Sequence, residues 1–110
     1  MLTQAQLAAQ GVAMTPHFAH DGVSNLFKIP AGRFLGQHAH AIGHHSTLLL
    51  GRAILRTHDG VERVLEAPAT VFLPANVVHE VEAVTEVLWA CTWPDAEALL
   101  AAQERGEVVA

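Results

Sequence analysis

The chain has no tyrosine, one cysteine and six lysine and arginine residues among its 110. Each shortage excludes something. Cys91 has no second cysteine to form an internal disulfide with, which fits a reducing compartment or simple indifference to redox. Without tyrosine, one common general acid is missing. Lys28, Arg33, Arg52, Arg56, Arg63 and Arg105 are scattered, and with eleven acidic residues they leave a net charge of −5. No basic stripe is available to follow a phosphate backbone, so nucleic acid is not an expected partner. Hydrophobic residues make up 51% of the chain, yet no apolar run approaches the ~20 residues of a membrane helix. Met1–Gln10 lacks the basic start and continuous apolar core of a signal peptide. The expectation is a cytoplasmic protein without a membrane partner. A single domain of this length can bury roughly two thirds of its unfolded surface, enough for one core. So apolar a domain predicts a buried subunit face and a homodimer, which sedimentation as a monomer at micromolar concentration would refute.

What the chain has is histidine. Four of its eight histidines fall between His38 and His45. Residues two apart on a strand share a face, so the imidazoles of His38 and His40 can reach one point. Neutral imidazole is the commonest protein ligand for mid-row transition metals. His44 lies four residues after His40 with the same parity, and His79 follows a Pro-Ala-Asn turn far downstream. Four imidazoles from two strand regions can surround one ion and leave positions open on it.

The surrounding text is β. Strands are expected at Val23–Ile29, Phe34–His40, Ser46–Leu50, Ala53–His58, Val61–Leu65, Thr70–Leu73, Val77–Val81 and Glu86–Trp93. Asp59-Gly60 marks a tight hairpin, and Pro30, Pro68 and Pro74 mark further turns. Short strands with turns every eight to twelve residues indicate an all-β sandwich or barrel. A short N-terminal helix is expected, with Thr3 as cap, Gln6 in the capping-box position and Gly11 at the exit. Pro94-Asp95 opens a C-terminal helix over about 95–105. His17 and His20 are read as solvent-facing residues of a connection, and His58 as exposed beside its turn. Phe34, Phe72, Trp89 and Trp93 are read as core. Cys91 shares a face with the two tryptophans and is read as a small buried hydrophobe; a thiolate ligand would need a further strand to converge. Glu80, Glu82, Arg33 and Arg52 are read as surface residues.

These residues resemble the cupins. Gly32, five residues, His38, one residue, His40, three residues, His44, six residues and Gly51 follow the first cupin motif. Pro74-Ala-Asn76-Val-Val-His79 follows the second, Pro-x-Gly-x-x-His. The resemblance runs from about Phe27 to Trp93. It implies one domain over 1–110, a double-stranded β-helix or jelly-roll barrel at about 23–93, and one divalent metal held by His38, His40, His44 and His79. His44 stands where the family usually has Glu, and its spacing to Gly51 selects it over His45. Asn76, Pro68 and Ala83 replace Gly, Gly and Asn of the second motif. Asn tolerates the left-handed backbone better than any residue but Gly.

Four neutral ligands would leave the ion its full positive charge, which suits a small anionic or enolic substrate. Ligand type admits Mn, Fe, Co, Ni, Cu or Zn. Three activities compete: a dioxygenase-like oxidoreductase, a non-redox isomerase or lyase, and a non-catalytic ligand-binding or sensory module.

Overall fold

The computed structural model describes residues 3–19, 22–40 and 42–93. His20 and the C-terminal helix expected at 95–105 lie outside the described residues.

The chain begins with helix α1 at Gln4–Ala9, opened by a full capping box. The Thr3 hydroxyl accepts from Gln6 N–H at 3.1 Å, and the Gln6 side chain accepts from Thr3 N–H at 2.8 Å. So short a helix is not stable alone; it buries Leu7 against the barrel.

Nine strands follow: β1 Ala13–Ala19, β2 Gly22–Ile29, β3 Phe34–His38, β4 His44–Leu50, β5 Arg52–Thr57, β6 Glu62–Glu66, β7 Ala69–Leu73, β8 His79–Ala83 and β9 Val87–Trp93. They form two antiparallel sheets, ordered β1-β2-β9-β4-β7 and β3-β8-β5-β6. Their inner rows alternate with exposed residues and meet in one core of Phe27, Ile29, Leu35, Leu48, Leu55, Val81, Trp89 and Trp93. Among the described residues no helix is long and apolar enough to cross a membrane.

Several boundaries differ from the sequence expectation. β1 was not expected, and it carries His17 out of the connection assigned to it. Its break signal, Thr15-Pro16, sits in the outermost strand of its sheet, where a missing N–H need not disturb the ladder. β4 starts at His44 rather than Ser46, and β8 at His79 rather than Val77. β3 ends at His38, so His40 lies beyond it. The Asp59-Gly60 connection is not a two-residue turn. Gly60 N–H donates to the Thr57 carbonyl at 3.0 Å, and Thr57 N–H to the Val61 carbonyl at 3.1 Å. Phe72 is 57% exposed, against its expected place in the core, because Leu73 on the same strand faces inward. Phe34 is only half-buried.

Glu80 and Glu82 lie on the outer face of β8, where Arg56 binds them at 3.2 and 2.7 Å and Glu62 at 2.8 Å. That network faces away from the histidines. Arg52 pairs with Glu66 on the same outer side.

Gly51 joins β4 to β5 at φ +91°, and a Cβ there would lie 2.2 Å from the Glu86 carbonyl oxygen and 2.6 Å from Thr85 Oγ1. Gly51→Ala therefore adds a backbone clash to left-handed strain, and is expected to cost about 2–5 kcal/mol in urea unfolding. Gly60→Ala is the control. It has a similar φ of +79° but nothing within 4 Å, so it should cost only the strain, about 1–2 kcal/mol. Equal losses at the two positions would refute the clash.

Candidate metal centre

The first sheet contributes the start of β4 and the end of β9; the second contributes the end of β3 and the start of β8. Registers of His45 with Thr92 and of His38 with His79 bring these four segments to one end of the barrel.

His38 reaches the interior through an irregularity. Leu35 pairs with Val81 and His38 with His79, so β3 carries one residue more than β8 across this interval. Three residues apart on a regular strand, Leu35 and His38 would face opposite ways. The bulge turns both inward, with Leu35 at 0% and His38 at 2% exposure. Gly36, inside the bulge, was its only signal in the sequence.

His40 is placed by the second motif loop. Asn76, at φ +62°, donates its N–H to the His40 carbonyl at 2.6 Å. The left-handed residue of one motif thus pins the backbone of the other.

His38, His40 and His79 each offer a ring nitrogen, and these nitrogens all lie within 4.8 Å of one another. The His38 ring sits 5.0 Å from that of His40 and 4.2 Å from that of His79. His38 Nδ1 donates to the Gly36 carbonyl at 2.5 Å, and His79 Nδ1 to the Val77 carbonyl at 2.9 Å. A carbonyl can only accept, so both protons sit on Nδ1 and both Nε2 lone pairs are free to bind. This is how outer contacts orient metal-bound imidazoles. Nε2 of His38 and of His40 is buried without a hydrogen-bond partner. A buried orphan nitrogen costs stability unless something binds it, and a divalent ion fits the need.

His44 stands beside this group. It is 1% exposed, its ring is 4.7 Å from that of His40 and 5.9 Å from that of His79, and neither ring nitrogen has a partner. The Ile42 carbonyl is close enough to favour the charged ring without the geometry of a full hydrogen bond. Trp93 stacks on the His44 ring at 4.5 Å and 23° and meets His40 edge-on at 5.5 Å. His45 is exposed and lies against Phe72, with ring centres 5.1 Å apart. His44, the neighbour selected by its spacing to Gly51, thus faces inward on β4, and His45 faces out.

Burial holds these imidazoles neutral, the form a metal requires. His38 falls to about 3, first by desolvation and then by repulsion from His79. His40 falls to about 2, by desolvation and then by repulsion from His38 and His44. His44 falls to about 4, by desolvation and then by His79. His79 is lowered too, by desolvation.

Cys91, two residues from Trp93, is pushed up to about 12 by burial and contacts Ser46 Oγ at 3.4 Å. It is a protonated core thiol, and the ligand group among the described residues contains no cysteine.

No protein-family model matches the chain, and no curated protein sequence matches it. Solved structures do. An RmlC-like cupin from Shewanella frigidimarina superposes with a TM-score of 0.70 at 25% identity, over 82% of each chain. The chain folds as a cupin. KdgF from Halomonas sp. is similar to this cupin with a TM-score of 0.67 at 15% identity, over 81% of this chain and 85% of its own. A structure from a study of the DMSP lyases RdDddP and RnDddQII is similar at 0.63 and 23%, over 71% of this chain and 40% of its own. The two-motif reading of the sequence and the observed cupin fold therefore agree.

Proposed function

We propose that this cupin is a metal-dependent enzyme acting on a small anionic or enolisable substrate. The observation that carries the reading is the group of three buried imidazoles with nitrogens within 4.8 Å of one another. His38, His40 and His79 would hold one divalent transition metal, with His44 as fourth ligand. The bound ion would supply Lewis acidity at a substrate oxygen, or an open position for O2. The chain's own part is to fix Nε2 of His38 and His79 through their carbonyl contacts. It also keeps water off the site with Trp93 and the apolar core. The ligand group holds no carboxylate to offset the ion's charge, which supports a substrate that brings its own negative oxygen.

Oxygen-dependent, dioxygenase-like cleavage is the first reaction to test. The likeness to a structure from a study of DMSP lyases supports a second, non-redox elimination or isomerisation. Metal analysis of protein purified without an affinity tag is paired with oxygen uptake on a panel of enols and β-diketones. A stoichiometric first-row metal with O2 consumption is the expected result. Turnover unchanged under anaerobic conditions would move the assignment to the lyase or isomerase reading. Metal without turnover of either kind would leave a ligand-binding module.

A further inference from the structure

A cavity opens at the same end of the barrel as the histidines. Its volume is about 300 Å³, at the small end of the ~300–1,000 Å³ that ligand pockets span. β6 ends one sheet and β7 ends the other, and the cavity draws residues from both of these edge strands. Its wall is apolar: Leu55, Val71, Leu73 and Val77. Register ties that wall to the histidines. Thr57, also lining the space, pairs with His79, and Leu73 pairs with His44.

Arg63 also lines this cavity; its side chain is exposed, and its register places it in the row of β6 that faces the core. It pairs with Leu55, which pairs with Val81, and directly opposed residues share a face. That face is the core one, since Leu55 is 3% and Val81 0% exposed. Arg63 is thus a charge in an inner row, at the mouth of an apolar space. Its neighbours Glu62, Val64 and Glu66 point the other way. Lys28, Arg52 and Arg56 each have a carboxylate partner, and among the described residues Arg63 has no such partner. Asp59 lines the cavity as well, but its Oδ1 already accepts from Thr57 Oγ1 at 2.5 Å and Val61 N–H at 3.2 Å, which holds it in the turn.

We infer that this cavity binds a small carboxylate-bearing molecule, with Arg63 as its anion anchor and the apolar wall carrying the rest of the ligand toward His44 and His79. Guanidinium presents a planar fork that matches a carboxylate with two hydrogen bonds. The inference rests on the proposed function and deepens it by naming the substrate class. The competing role for Arg63 is edge protection, since inward charges on edge strands also deter strand pairing between molecules.

The test titrates the full chain with hexanoate, as purified and again after chelation, following backbone amide shifts by NMR. Hexanamide is the uncharged control. Hexanoate is expected to saturate with shifts centred on Leu55, Arg63 and Leu73, and to keep doing so after chelation. Hexanamide is expected to bind at least about tenfold more weakly, as is hexanoate to Arg63→Gln, because each loses a charge-assisted contact. Arg63→Lys should retain part of the affinity. Equal binding of acid and amide to the wild-type chain would overturn the inference without any variant. So would full hexanoate affinity in Arg63→Gln, which would leave Arg63 as edge protection. Binding that disappears on chelation would place the carboxylate on the metal instead. Failure of the cavity leaves the metal result standing, and loss of the metal leaves this titration standing.

Discussion

Alanine at His38, His40 or His79 is expected to weaken binding of a divalent ion such as Co²⁺ more than ~100-fold. The reasoning is that four-ligand sites contribute about 10–16 kcal/mol in total, so each ligand carries several. His44→Ala should fall in the same direction, and His45→Ala should not change affinity, because His45 is exposed against Phe72. Cobalt's visible absorption reports coordination number, so His44→Ala also tests whether the fourth imidazole joins the ion or only packs beside it. Trp93, stacked on His44, supplies a second signal: indole fluorescence should quench as the ion enters. Unchanged affinity in His38→Ala would place the ion elsewhere, and unchanged coordination in His44→Ala would restrict the ligands to three. Each variant also removes a buried imidazole, so thermal unfolding of the metal-free forms separates affinity from folding. Relief of an orphaned nitrogen at His38, His40 or His44 opposes the cavity left by the missing ring, and at His38 and His79 the bond to the Gly36 or Val77 carbonyl is lost as well, so the measured stability of each metal-free variant sets the baseline for its affinity.

The metal-free protein is expected to lose stability steeply as pH falls below about 6.5. Each site histidine has a folded pKa below its unfolded value, so the unfolded chain takes up protons that the folded chain refuses. The stability from neutral burial is complete above 6.5 and declines as pH falls from that value toward the folded one. For His38 that interval runs from 6.5 to about 3. At 1.36 kcal/mol per pH unit it amounts to about 5 kcal/mol, the lower end of the ~5–15 kcal/mol that stabilises a typical domain. His40 adds to it over a similar range, down to about 2. Circular dichroism should therefore show acid unfolding well above pH 3. A bound ion occupies the same lone pairs as the proton, so loading with Zn²⁺ should move the midpoint to lower pH. Urea midpoints that stay level from pH 7 to pH 4 would show that the imidazoles are not buried neutral in the folded chain.

Much of this arrangement was legible in the sequence because it follows from local rules. The capping box at Thr3 and Gln6 closes within one turn of chain, so no tertiary partner was needed to foresee it. His44 was set apart from His45 by its spacing to Gly51 in the motif, and in the fold His44, Ser46 and Leu48 form the inward row while His45 faces out. Asn76 was expected to adopt a left-handed backbone from its place in the motif and does so at φ +62°. β1 was missed because Pro16 reads as a break to local rules. The exposure of Phe72 was missed because the sequence does not say which row of a short apolar strand faces the core.

The sequence by itself determined the fold class, the two-motif spacing and the identity of the clustered imidazoles, since these depend on residue type and on distance along the chain. Only the tertiary structure decided how the imidazoles converge. It placed His38 inward through the bulge at Gly36, held His40 beyond its strand by a bond from Asn76, and set Trp93 against His44. It also turned Arg63 into the mouth of a cavity, although nothing in the neighbouring sequence distinguishes that arginine from the other four. The physical reason is the same in each case. A bulge, a loop-to-loop hydrogen bond and the row of an edge strand are set by partners in other strands, and pairing between distant segments leaves no periodic trace in either one.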